Sequence, residues 1–295
     1  MQKFNILIAG CGDIGTTTAK LLTKNHRVYG LRRSAQALPG EIITIQADLS
    51  LPKSLSKALS NLPDIDIIIY CAAPAKGNQQ DRIESYRQTY LEGASNLIAA
   101  LKKPIKHIFF TSSTSVYHQN DHQWINENST TKPQSETAKI MLSAEQKILS
   151  FAENSITNAT IVRFSGIYSA DRLHFFKRVI AGEFFNSQPP QYSNRIHVDD
   201  CAGILAHLIG KVACNNAIEP IYLASDNNPT PLNEVGRWLA QQTKATSFKE
   251  APKRNTSSKR CKNSLILESG YRFIYPSFKE GYKEAVDNYL KDNAL

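Results

Sequence analysis

In the first half of the chain, short apolar, largely β-branched runs alternate with stretches whose apolar positions recur every three or four residues. The short runs, residues 4–9, 27–31, 42–46, 65–70, 107–111 and 160–164, predict strands. Their near-continuous apolar character is that of strands covered on both faces. Between them, residues 14–24, 52–60, 82–101 and 137–152 read as amphipathic helices. In 82–101, for example, Ile83, Tyr86, Tyr90, Leu91, Ala94, Leu97 and Ile98 share one helical face. Strand and helix in strict alternation predict right-handed βαβ units and a parallel sheet.

The second half is less regular. Strands are expected at 195–198 and 221–223, and helices at 199–209, 231–241 and 277–290, the first of these closing on Gly210. Prolines 189, 190, 229, 231, 252 and 276 punctuate the region. The expected organisation is an α/β domain over 1–168, to which 195–225 returns, and a smaller mixed α/β lobe over 169–295.

The first strand runs directly into Gly10-Cys11-Gly12-Asp13-Ile14-Gly15, which opens the first helix. In this setting the GxGxxG spacing points to a dinucleotide. Gly10 permits a tight turn, Gly12 lets a pyrophosphate reach the backbone, and Gly15 lets helix and strand close together. The helix N-terminus offers free amides and partial positive charge to phosphate. Asp13 is read either as part of this loop or as a helix cap. The second strand ends in Arg32-Arg33-Ser34, with no carboxylate for a ribose 2′-hydroxyl. Two guanidiniums and a hydroxyl suit a 2′-phosphate, favouring NADP, with NAD as the alternative. Asp48-Leu49 closes the third strand, where the carboxylate can accept from an adenine amino group or cap the next helix. Cys71-Ala72-Ala73 closes the fourth, small residues against which a cofactor could lie.

Charge and composition narrow the function classes. The 295 residues carry a net +9, but the basic residues form no stripe that would read a nucleic acid. One local cluster, Lys249, Lys253, Arg254, Lys259, Arg260 and Lys262, beside Phe248 and opposed by Glu250, reads as a solvated loop or a mouth for an anionic small molecule. The five cysteines are scattered without a CxxC pair, and His118 and His122 lack Cys or Glu partners, so neither disulfides nor a metal site is expected. No apolar run approaches the ~20 residues of a membrane span, and a cytoplasmic monomer or homodimer is expected.

These motifs resemble the extended short-chain dehydrogenase/reductase superfamily, the NAD-dependent epimerase/dehydratase group. The resemblance rests on the glycine loop, Asp48-Leu49, Cys71-Ala72-Ala73, the stretch from Thr111-Ser112-Ser113 to Val116-Tyr117, Arg163-Phe164-Ser165-Gly166-Ile167-Tyr168, and Arg195-Ile196-His197-Val198-Asp199-Asp200. The tail, with Lys259-Arg260-Cys261-Lys262-Asn263 and Ser269-Gly270-Tyr271-Arg272-Phe273, looks like the atypical YeeZ-like branch. The resemblance implies a doubly wound Rossmann sheet with a smaller C-terminal substrate lobe. It implies Ser113 as the hydroxyl that bonds a substrate oxygen, and Ser112, Ser165, Gly166 and Ile167 beside the cofactor. Tyr117, Arg195 and Arg260 are expected to meet a polar or anionic small-molecule substrate.

The chain departs from the resemblance at one place. A Tyr-x-x-x-Lys pair on the helix after the fifth strand normally moves the proton. Here Thr137 and Met141 take those positions, and neither can do that chemistry near neutral pH. Only Tyr275 of the 12 tyrosines has a lysine four residues on, Lys279, and Pro276 follows it. Lys139 is on another helix face. Two functions remain: an oxidoreductase or epimerase-type enzyme drawing its proton from Tyr117, Tyr168, His197 or water, or a cofactor-binding sensor without turnover.

Overall fold

The computed structural model describes residues 2–74, 78–185, 189–246, 249–250 and 258–293. Of the basic cluster, Phe248, Lys253 and Arg254 lie outside the described residues.

Among the described residues, seven strands form the main sheet. From one edge they run Ile43–Gln46, Arg27–Arg32, Asn5–Ala9, Ile67–Tyr70, His107–Ser113, Asn158–Phe164 and Ile221–Ala224. The pairs from the third strand through the first to the fifth are parallel, with Ile6 opposite Val28 on one side and Ile67 on the other. The chain winds outward from the first strand in one direction, then restarts beside it with the fourth. Open α/β sheets place their ligand crevice at such a switch point. Ile6, Leu7, Ile8 and Ala9 are fully buried, as are Ile67, Ile68 and Ile69, which is why these strands lack polar alternation.

The chain divides into two compact units. The first comprises Met1–Tyr117, Thr131–Arg163 and Cys201–Tyr222; the second His118–Thr130, Phe164–Asp200 and Leu223–Leu295. In the second, helices His174–Ile180, Leu232–Thr243 and Phe278–Asp292 pack around Tyr168, Phe176, Val235, Leu239, Phe278 and Tyr282. Short strands complete it, Gly166–Tyr168 pairing with Arg195–His197.

Two elements depart from the hydrophobic pattern. The helix expected over 82–101 is broken into Gln79–Tyr86, a π-helical turn Arg87–Glu92, and Gly93–Ala99. The helix expected to close on Gly210 runs Val198–Ala213 instead. Buried Leu208, Ile209 and Ala213 carry its apolar face past Gly210, and Asn215 takes the left-handed conformation (φ 57°) after its end. No helix among the described residues is long and apolar enough to cross a membrane.

Candidate dinucleotide cleft and the neighbouring polar network

In the first unit a cleft of about 410 Å³ opens over the switch point. The glycine loop shapes it. Gly10 has φ +100°, and a Cβ there would lie 2.4 Å from the backbone of Ala72. Gly15 is as confined: a Cβ would lie 2.2 Å from the Gly10 carbonyl oxygen. Gly12 is the opposite case, with nothing within 4 Å of the place its Cβ would occupy. Gly12 is also the N-cap of helix Asp13–Leu22 and, without a side chain, makes no cap hydrogen bond to its amides. The loop therefore has space and amides where a pyrophosphate needs both, and its residues fit a dinucleotide. Asp13 sits inside the first turn of that helix and is not its cap.

Of the residues singled out in the sequence, the cleft is lined by Gly10, Gly12, Arg32, Arg33, Ser34, Asp48, Leu49, Cys71, Ala72 and Ala73. Asp13, Ile14, Gly15, Ser112, Ser165, Gly166 and Ile167 are not in its lining. Ile14 and Gly15 belong to the helix behind the loop, and Ser112 is buried. Ser165 and the strand that begins at Gly166 belong to the second unit, where the Ser165 hydroxyl is buried without a hydrogen bond.

The charges in the cleft are few. Arg32 is half-buried and reaches the Gln36 carbonyl at 3.4 Å, a long contact; Arg33 and Ser34 are exposed. Asp48 accepts from the Ser50 amide at 2.9 Å and from its hydroxyl at 2.7 Å. It folds the turn ahead of helix Pro52–Leu59, whose N-cap is Leu51. Burial pushes the Cys11 thiol up to about 12 although Arg32 draws it down, and burial raises the Cys71 thiol as well. Both thiols line the cleft in neutral form.

Sequence reasoning missed Ser85, Gln88 and Thr89, which line the far wall. Gln88 and Thr89 sit in the π-helical turn, whose one-residue slip a periodic apolar pattern does not register, and Ser85 lies in the helix just before it.

Beyond the fifth strand the polar groups satisfy each other. Glu145, fully buried on helix Glu136–Glu153, receives the Ser112 hydroxyl and a fork from Arg163, whose Nη2 donates at 2.6 Å and Nε at 3.1 Å. Arg163 Nη1 donates to the Tyr117 hydroxyl at 2.8 Å and lies over that ring at 5.0 Å. Tyr117 is 2% exposed, so it belongs to this network, not to a substrate surface. Ser113 Oγ accepts from the Ser115 amide at 3.1 Å and caps the turn Thr114–Val116; it is half-buried and donates no hydrogen bond among the described residues. Thr137 is half-buried in the first turn of the helix, Met141 is 4% exposed, and Lys139 is an exposed partner of Glu136 at 2.7 Å. Glu145 and Arg163 went unassigned because their pairing spans two elements. The available signal was a charge in each of two otherwise apolar faces, which burial demands be paired.

In the second unit, Arg195 donates to Ser193 Oγ at 2.5 Å and lies over Phe175 at 5.2 Å. Arg260 donates to the His122 carbonyl at 2.8 Å and is held between Trp124 and Tyr192. The Arg260 contacts are those of a residue joining loops. The His197 Nδ1 accepts the Asp199 amide at 3.2 Å, and burial lowers the ring's pKa against the opposing pull of Asp199, Asp200 and Glu284. The Tyr168 hydroxyl has no hydrogen bond among the described residues, and burial raises its pKa.

A family model for the NAD dependent epimerase/dehydratase family matches residues 6–213. Among solved structures, an NAD-dependent epimerase/dehydratase assignment from Methylobacillus flagellatus is 34% identical, over 98% of this chain and 99% of that one, with a TM-score of 0.78. A UDP-glucose 4-epimerase of Thermotoga maritima, solved with UDP-glucose, is 18% identical over 98% and 99%, with a TM-score of 0.81. The Thermus thermophilus UDP-glucose 4-epimerase, solved with NAD, is 18% identical over the whole of both chains, with a TM-score of 0.79. A search of curated proteins returned no match. With two-thirds of its length matched by the family model and a 34% identical relative along nearly all of it, this chain belongs to the NAD-dependent epimerase/dehydratase family of the extended short-chain dehydrogenase/reductase superfamily.

Proposed function

We propose that the protein is an NADP-preferring oxidoreductase or epimerase-type enzyme with a proton-transfer site built without the Tyr-x-x-x-Lys pair. The observation that carries the cofactor preference is the cleft's second-strand end. Arg32, Arg33 and Ser34 line it, and Asp48 is the one carboxylate among the described lining residues, already engaged by Ser50. The glycine loop would hold the pyrophosphate, the two arginines a 2′-phosphate, and Ala72 and Ala73 the face of the cofactor. A bound nicotinamide would supply hydride transfer. Ser113 would donate to a substrate oxygen. Substrates are polar or anionic small molecules, a class that includes the UDP-glucose found in one solved relative. None of Cys11, Cys71, Cys201, Cys214 and Cys261 is in a disulfide, which suits a reducing cytoplasm.

A thermal-shift titration tests the preference. Ligand at ~100 times its dissociation constant stabilises by about 2.7 kcal/mol. NADPH should raise the midpoint at lower concentration than NADH; equal titrations would overturn it. A second reading, a cofactor sensor without turnover, is favoured by Thr137 and by Met141, which is buried. Thr137→Tyr with Met141→Lys separates the two. Raised turnover of a generic carbonyl would mark an impaired reductase, because a positioned acid contributes ~10²–10⁴-fold. No gain, with lower stability from a buried lysine, would favour the sensor.

A further inference from the structure

The π-helical turn Arg87–Glu92 forms part of the cleft wall, and one buried hydroxyl grips it. In α-helical register the Gly93 amide would bond to the Thr89 carbonyl. It bonds to the Gln88 carbonyl instead. The Thr89 carbonyl accepts from the Tyr70 hydroxyl at 2.5 Å. Tyr70 is the last residue of the fourth strand, one before Cys71, and is fully buried with its ring stacked on Phe110 at 5.6 Å. Burial also raises its pKa, keeping the hydroxyl protonated and able to donate.

Gly93 completes the grip. A Cβ there would lie 2.7 Å from the Tyr70 hydroxyl oxygen and 3.2 Å from the Leu49 Cβ. The missing side chain lets the helix come down onto the ends of the third and fourth strands together. Asn96, one turn on, donates to the Leu49 carbonyl at 3.0 Å. The fourth strand, the Asp48-Leu49 turn and the π-helical turn are thus fastened at one point, next to the lining residues Cys71, Asp48, Leu49, Gln88 and Thr89. Single π turns inside helices are frequent at functional sites.

The geometry points to Tyr70 as a positioning residue for the dinucleotide site: its hydroxyl holds the π turn at Thr89, and the turn sets Gln88 and Thr89 in the wall facing the glycine loop. This rests on the reading of the cleft as a dinucleotide site. Tyr70 itself touches no ligand, being behind the wall.

The test compares wild type, Tyr70→Phe and Tyr29→Phe. The control deletes a buried hydroxyl that makes no hydrogen bond and lies outside the cleft lining. Dissociation constants for NADPH and NADH are read by fluorescence, and amide exchange is read without ligand. One lost hydrogen bond corresponds to roughly three- to tenfold in an equilibrium. Tyr70→Phe should weaken NADPH binding by about fivefold and speed exchange across residues 87–93, with the rest of the chain unchanged. Tyr29→Phe should do neither. Unchanged exchange, or wild-type affinity in Tyr70→Phe, would overturn the role of Tyr70 while leaving the cleft reading intact. Wild-type protein that binds neither cofactor would overturn both, whatever the exchange pattern.

Discussion

The glycine-loop cleft and the Arg163–Glu145 network occupy neighbouring strand ends of one sheet and treat polar groups in opposite ways. In the cleft, space is left where a side chain could stand, as at Gly12, and Arg32 reaches only one carbonyl at 3.4 Å. In the network, Glu145 takes Ser112 and a forked Arg163, and the remaining arm of Arg163 goes to Tyr117. Groups left unspent toward solvent can meet a ligand; groups spent on each other hold a fold. Helix Glu136–Glu153 falls on the second side of this divide, with Met141 and Glu145 both buried. Asp226 in the second unit is intermediate: one oxygen accepts the Asn228 amide at 3.1 Å, and the other is buried without a partner.

Breaking the network should have the largest effect. Glu145→Ala strands the buried Arg163 guanidinium and should cost about 3–5 kcal/mol of stability, seen as a lower denaturant midpoint. A loss under 1 kcal/mol would show that the pair is as dispensable as a surface one. Gly12→Val probes the cleft from the other side. It should leave the melting temperature within a few degrees, since open space receives the side chain, and should weaken NADPH binding by at least about a hundredfold, or ~2.7 kcal/mol. Binding within threefold of wild type would place the pyrophosphate elsewhere.

Asp226 sharpens the contrast through pH. Burial raises its carboxyl to about 7, opposed by the Asn228 amide and Arg195 and reinforced by Asp200 and Glu280. The unfolded chain releases that proton near pH 4, so between about pH 4 and 7 the folded state holds a proton the unfolded state has lost. Its contribution to stability is therefore full below about pH 4 and falls as pH rises to 7. Asp226→Asn should remove most of this slope in denaturant titrations across that window. Parallel pH profiles for the two proteins would refute the assignment. The smallest expected effect is at the cleft's rim. Arg32→Asp should shift the NADPH-to-NADH affinity ratio by about tenfold, or ~1.4 kcal/mol, by repelling a 2′-phosphate and offering a ribose acceptor. An unchanged ratio would assign Arg32 to its Gln36 contact alone.

Local sequence carries what depends on neighbours along the chain. Continuous apolar runs predicted every strand of the main sheet to within two residues, because a strand covered on both faces has no polar alternation to interrupt it. The glycine loop was legible for a similar reason: its positive φ and close backbone contacts are demands that only glycine meets, so spacing alone exposes them. The tertiary structure decided the rest. Helix periodicity counts apolar positions and is blind to a one-residue slip, so it could not show the π turn that Tyr70 and Gly93 hold in place. It could not show that helix Val198–Ala213 passes through Gly210, where burial of Ile209 and Ala213 outweighs the glycine's preference for ending a helix. Tyr117 read as an available hydroxyl until Arg163, 46 residues away, buried it. Pairing between charges on separate elements is set by packing, and packing leaves no period in the sequence to read.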